Sequence, residues 1–272
     1  MKKSFYYILC VLFILSFFLS SCSITGSSDD DSDNVVEKNS LGILVPAYFY
    51  PAWWDSQTNL WDDLALVASD IPIIAIMNPN SGPGTAQNTD YQTAITTLQQ
   101  SGGQVIGYVH TSYGERDIDT CKQEIDNYYD WYSDIDGIFF DEMDNNTNDI
   151  DYYKSLYNYV LSKEQQAIVI GNPGINTEAE YLSAATGLVI FENNSGYAAW
   201  SPDQWIENYS SDKFAVLLYN IDDENTMKTN IDLAISRNIG WLYLTDDILP
   251  NPWDTLPSYW EEEVSYIQSK NS

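Results

Sequence analysis

Basic residues are scarce in this chain: 11 Lys and Arg stand against 40 Asp and Glu, a formal charge of −29 over 272 residues. No stretch gathers enough positive charge to track a phosphate backbone, so nucleic acid is not an expected partner. Cysteine is nearly missing, with Cys10, Cys22 and Cys121 the whole complement, and histidine occurs once, at His110. Such a set has no ligand spacing for zinc, and Gly82, Gly84 and Gly174 have neither Walker nor dinucleotide spacing, so no metal or cofactor is expected. What is plentiful is ring surface. With 21 Tyr, 9 Trp and 44% hydrophobic residues, the chain can bury a large core and is too apolar for a disordered acidic tail.

The N-terminus has the layout of an export signal. Lys2 and Lys3 precede an apolar run from Phe5 to Leu19, too short to span a bilayer as a mature helix. It ends in Leu19-Ser20-Ser21-Cys22, which resembles the lipobox of bacterial lipoproteins. The resemblance implies a signal peptide over 1–21 and lipidation at Cys22. The expected product is an exported lipoprotein on the outer membrane or cell surface, held to the membrane only by its lipid. Residues 22–40, with Ser27-Ser28-Asp29-Asp30-Asp31-Ser32-Asp33, read as an acidic tether. With Cys10 in the signal and Cys22 acylated, Cys121 is left alone, so no internal disulfide is expected. It reads as a small buried helix residue rather than a nucleophile.

From residue 41 one theme repeats: a short apolar run, a polar loop, then a helical pattern. The runs are Ile43–Tyr50, Ile71–Met77, Gln104–His110, Gly137–Met143, Ala167–Asn172, Gly187–Asn193, Lys213–Asn220 and Gly240–Thr245. Their starts are about 28 residues apart, enough for a strand and a returning helix. Helices are expected at Asn59–Ala68, Tyr91–Gln100, Thr120–Trp131, Asp151–Leu161, Thr177–Ala185, Pro202–Tyr209, Glu224–Asn238 and Pro257–Ser269, with Asp151 and Thr177 as caps. Continuous rather than alternating strands suit a parallel sheet covered on both faces. The reading is a single-domain (β/α)8 TIM barrel over 41–272, with an open doubly wound sheet as the competitor.

A barrel gathers its site where strands end. The first strand supplies Tyr48, Tyr50 and Trp53, the second Asn78, the third Tyr108 and His110, with Tyr113 just beyond. The fifth supplies Asn172, the sixth Asn193, the seventh Tyr219 and the eighth Asp246. These are candidate substrate-binding residues, because sugars stack apolar faces on rings and bond hydroxyls to amides and acids. For His110 a sugar hydrogen bond or a satisfied strand-end role fits better than a metal. The acids stand out. Asp141 and Glu142 follow the apolar strand Gly137-Ile138-Phe139-Phe140, and Glu192 follows Gly187-Leu188-Val189-Ile190-Phe191. Paired carboxylates across a barrel mouth suit glycosidic cleavage, retaining or inverting according to their gap. The plainer reading is that they cap helices or hold structural partners. Neighbouring strand residues face opposite ways, so Asp141 and Glu142 cannot both enter one pocket unless the strand breaks there. Asp144-Asn145-Asn146-Thr147-Asn148-Asp149 only superficially suggests a calcium loop, since the sixth position is Asp149 rather than Gly.

Six motifs in order carry a family resemblance: Val45-Pro46-Ala47-Tyr48-Phe49-Tyr50-Pro51, Asn78-Pro79-Asn80-Ser81-Gly82-Pro83-Gly84, Gly107-Tyr108-Val109-His110-Thr111-Ser112-Tyr113-Gly114, Asp136-Gly137-Ile138-Phe139-Phe140-Asp141-Glu142, Gly171-Asn172-Pro173-Gly174 and Phe191-Glu192. Together they resemble the spherulation-specific family 4 proteins, glycoside hydrolase family 135. The resemblance implies a (β/α)8 barrel that hydrolyses α-1,4-linked galactosamine and N-acetylgalactosamine polymers internally. It places the essential acids at Asp141, Glu142 and Glu192. The assignment taken here is Asp141 as nucleophile, Glu192 as acid/base and Glu142 as an orienting neighbour. The expected partner is an exopolysaccharide, cationic where deacetylated, met by a monomer. The rivals are a glycan-binding lipoprotein without activity and a barrel hydrolase of another polysaccharide.

Overall fold

The computed structural model describes residues 40–52, 54, 55, 59–132 and 134–272. The expectations for the signal segment, Cys22, the tether up to residue 39 and Trp53 therefore lie outside the described residues. Eight parallel strands form a closed barrel: β1 Gly42–Ala47, β2 Ile73–Met77, β3 Gln104–His110, β4 Gly137–Asp141, β5 Ile168–Gly171, β6 Gly187–Asn193, β7 Phe214–Leu218 and β8 Trp241–Leu244. Each pairs with the next, and β8 returns to β1 through Gly42 beside Trp241 and Ile43 beside Leu242. The strands are buried almost throughout, which is why they are continuously apolar rather than alternating. The open-sheet alternative is thereby excluded.

Helices α1 Leu60–Val67, α2 Thr89–Gln100, α3 Ile118–Trp131 and α4 Ile150–Lys163 cover the first half, and α5 Glu224–Ser236 and α6 Trp260–Asn271 the last strands. Side-chain oxygens begin three of them: Asn88 accepts from the Asp90 N–H, Asp117 from Thr120, and Asp223 from Asn225 and Thr226. The expected helices at Thr177–Ala185 and Pro202–Tyr209 are not α-helices. Short 3₁₀ turns at Ala179–Ser183 and Gln204–Asn208 stand there instead. Ring packing replaces the missing turns. Trp205 donates its indole N–H to the Thr177 carbonyl at 3.0 Å and sets its ring edge against Phe214, at 5.5 Å between centroids. The expected caps also differ. Asp151 lies inside the first turn of α4, whose N-cap is Asp149, and the Thr177 hydroxyl donates to the Asn145 carbonyl at 2.9 Å. Residues 144–149 form a polar loop leading into α4, as expected.

Two contacts fix the wall. At Gly137 a β-carbon would stand 1.8 Å from the Ile168 carbonyl oxygen, so β4 and β5 approach closely only because that side chain is missing. At the seam, Leu41 N–H donates to Asn271 Oδ1 at 2.8 Å while Asn271 Nδ2 donates to the Leu41 carbonyl at 2.9 Å. The last turn of α6 is thus fastened to the entry of β1.

Candidate active site

Asp141 closes β4 in register with His110 of β3, and Glu192 lies near the end of β6. On β6 an irregularity intervenes: Val189 and Phe191 pair with the consecutive residues Ala215 and Val216, leaving Ile190 as an extra residue. Such a bulge re-aims the strand beyond it. From the intervening β5, the Asn172 backbone N–H bonds to the Phe140 carbonyl at 2.8 Å, which sets its buried side chain between the acids. Asn172 Nδ2 donates to Asp141 Oδ1 at 2.8 Å and to Glu192 Oε2 at 2.6 Å, so those oxygens are at most 5.4 Å apart, the two distances laid end to end. The other face of Asp141 is held too. Tyr108 donates its hydroxyl to Asp141 Oδ2 at 2.7 Å, and the Tyr48 ring stands edge-on to Tyr108, centroids 5.5 Å apart.

Electrostatics divides the carboxylates. Burial first, and then the negative charge of Asp141, raise Glu192 from the ordinary 4.5 to about 7, although the bond from Asn172 pulls the other way. Tyr48 and Tyr108 are both raised well above 10, mainly by burial and next by the Asp141 charge. Both phenols therefore stay protonated as donors. The site holds an acid that keeps its proton near neutrality beside a negative carboxylate anchored by two donors. That is the division of labour general acid and nucleophile require.

Glu142 escapes the alternation that would send it to the opposite face of β4. Its φ is +51°, a left-handed conformation costly for a residue with a side chain, and β4 ends just before it. Its carbonyl accepts from the Tyr113 N–H at 2.7 Å and the Thr111 hydroxyl at 2.8 Å. Thr111, fully buried, also donates to the Asp141 carbonyl at 3.0 Å. The charge of Glu142 reaches Tyr108 and helps raise it. So the charges of all three acids reach Tyr108, with Glu142 outside the bridged pair.

The expected binding residues separate into groups. Tyr48, Tyr108 and Asn172 join the acids, and His110 ends β3 on the same pleat face as Tyr108. Tyr113 stands 61% exposed on the rim, in a run of left-handed residues from Ser112 to Gly114. Tyr219 sets its ring edge against Trp253 at 5.7 Å. Three others are occupied by polar partners, Tyr50 in the next loop and Asn78 and Asp246 in their own. The Tyr50 hydroxyl bonds Asp90 and Asn88 at the start of α2, Asn78 Oδ1 accepts from the Gly82 N–H at 2.9 Å, and the Asp246 carboxylate holds Ser258. Asn193 follows Glu192 on a regular stretch of strand and so faces away from it, outward. Trp253 went unpredicted: buried, it packs on Tyr219 and Tyr243, and its carbonyl accepts from the Tyr48 N–H at 3.1 Å. Its sequence signal is only a Pro-Trp pair in a long polar loop. Among the described residues no group of three His, Cys, Asp or Glu could hold a metal ion.

Comparison with known proteins bears on this arrangement. Over 243 residues, 85% of this chain and 71% of the relative, the sequence is 33% identical to Spherulin-4 of Physarum polycephalum. The fold is similar to that of Aspergillus clavatus Sph3, solved in complex with GalNAc, with a TM-score of 0.72 and 20% identity over 85% of this chain and 98% of that one. It is more distantly similar to an Anoxybacillus alpha-amylase, with a TM-score of 0.52 and 9% identity over 85% of this chain and 77% of the other. The model of spherulation-specific family 4 matches residues 42–267, from the first residue of β1 into the last helix. With the motifs at the strand ends lying inside that match, the chain belongs to spherulation-specific family 4.

Proposed function

We propose that the protein is a glycoside hydrolase that cuts within galactosamine- and N-acetylgalactosamine-containing polysaccharide, with Glu192 as acid/base and Asp141 as nucleophile. The observation that carries this reading is the pair of carboxyls bridged by Asn172. Their nearest oxygens, at most 5.4 Å apart as the sum of 2.8 and 2.6 Å, suit the short gap of retaining enzymes, about 5–5.5 Å, better than the 6.5–9.5 Å that leaves room for an inverting water. Asn172 donates to Glu192 Oε2, so the proton of Glu192 sits on Oε1, free to pass to the leaving glycosidic oxygen. Asp141, with both oxygens already accepting bonds, attacks the anomeric carbon through one of them. Water then hydrolyses the glycosyl-enzyme, with Glu192 accepting its proton.

The substrate class rests on the family resemblance, and the complex of Sph3 with GalNAc supports it. The charge of −29 suits a partly deacetylated, cationic chain, which an acidic surface concentrates at low salt. Lipidation at Cys22, an acidic tether and display of a monomer on the outer membrane or cell surface belong to the same proposal. A glycan binder without activity has no need of a carboxyl raised to about 7 beside a negative one. The test is to incubate the protein with defined galactosamine and N-acetylgalactosamine oligomers and read products by mass and anomeric configuration. Retained configuration is expected, and the D141N and E192Q variants should release nothing while still binding polymer. Undiminished cleavage by both variants would reject the assignment.

A further inference from the structure

A pocket of about 240 Å³ opens on the same rim between the loop after β6, the loop after β7 and the start of α5. It is separate from the bridged acids. Leu218 and Asn193, paired across β7 and β6, line it, whereas Glu192 pairs with Leu217 on the other pleat face. The strand wall therefore stands between the two sites. Leu218 and Ile221 give it an apolar floor, and Asn193, Asn220, Asp222 and Asn230 give it polar edges. No Lys, Arg or His is among its described lining residues.

Asn230 is the telling residue. It lies on the buried face of α5 near Met227, Ile231 and Ala234, only 6% exposed, and its amide has no hydrogen-bond partner among the described residues. The amide faces the pocket rather than being sealed into apolar packing, so its donors and acceptor are offered to whatever occupies that space. Asn220, at the pocket edge, adds a left-handed backbone with φ +59°.

We propose that this pocket is an accessory saccharide site that takes one further hexosamine unit of the polymer outside the catalytic mouth. The identity of the sugar rests on the function proposed above. The chemistry suits such a unit. Amides offer donors and acceptors to ring hydroxyls, Leu218 and Ile221 meet the apolar C–H face, and Asp222 complements a protonated amine. Anionic ligands find no cation there. At about 240 Å³ the space is below the ~300–1,000 Å³ of sites for drug-sized molecules and suits a single ring.

The test has two readouts that do not need turnover. In the first, galactosamine and N-acetylgalactosamine are titrated onto the protein while the Asn230 side-chain amide is followed by NMR. In the second, soluble galactosamine polymer is bound to E192Q and to E192Q carrying either N230L, which keeps volume and removes the amide, or N194A on the exposed rim. The Asn230 amide is expected to shift with millimolar sugar, and polymer affinity to fall about tenfold in both double variants, as expected when one of two linked contacts is lost. An amide that stays put, or equal polymer affinity in all three proteins, would overturn the proposal. If the amide shifts and affinity falls, yet the wild-type protein cleaves no galactosamine polymer, the pocket stands and the hydrolytic reading fails.

Discussion

Tyr108 reaches from β3 to Asp141 on the neighbouring strand, its hydroxyl 2.7 Å from Oδ2. A phenol kept protonated beside a negative carboxylate holds that oxygen in one direction and stabilises its charge. Removal of the hydroxyl in Tyr108→Phe is expected to lower kcat by roughly 10- to 100-fold, the equivalent of one charge-assisted hydrogen bond. The ring stays, so the circular dichroism spectrum should not change. Full activity in Tyr108→Phe would show that Asp141 needs no such support.

Glu192 must carry its proton to act as an acid. In the proposed role, its value of about 7 is expected to give a descending limb, with activity falling as pH rises through that value. Asn172 lowers Glu192 by bonding its charged form, so Asn172→Ala is expected to move the limb to higher pH while reducing kcat. A pH–rate profile on a defined oligomer measures both. A merely structural loss would lower the curve without moving it sideways.

Glu263 lies fully buried in α6, where Oε1 accepts from the Leu244 N–H at 3.3 Å and Oε2 has no hydrogen-bond partner among the described residues. Burial raises it well above 4.5. For an acid raised on folding, the unfolded chain ionises first. The cost to stability is therefore absent below the unfolded value and grows as pH rises above it. Glu263→Gln keeps the acceptor and cannot ionise. It is expected to stabilise the fold by about 1–3 kcal/mol at pH 7 and to have little effect at pH 4, by the linkage between proton binding and folding. Denaturant midpoints at the two pH values decide it, and equal gains at both would contradict a neutral buried Glu263.

Gly137→Ala places a methyl 1.8 Å from the Ile168 carbonyl oxygen, where only backbone movement makes room. A loss of about 3 kcal/mol is expected, lowering the melting temperature by roughly 10 °C for a domain this size. An unchanged melting curve would mean that β4 and β5 can separate freely.

The eight strands were legible because a parallel barrel buries both faces of every strand, and continuous runs such as Val169–Gly171 or Phe214–Leu218 leave few other readings. The strand-end position of the acids was legible, because carboxyls directly after such runs need a reason. The weaker expectations failed where packing overrides local pattern. The segment 202–209 is helix-like in sequence, yet Trp205 and Tyr209 set their rings edge-on to Phe214, and a short 3₁₀ turn satisfies them. Asn172 was legible as a strand-end amide but not as a bridge, because its role depends on Asp141 and Glu192 from strands on either side. The extra residue at Ile190 and the left-handed turn at Glu142 leave no mark in composition. Both are set by register with neighbours distant in the chain.

The clasp between Leu41 and Asn271 joins positions 230 residues apart. During synthesis, then, β1 keeps an unsecured edge until β8 and α6 have been made. Trimming a few residues from the end of α6 would remove the latch while leaving every strand in place.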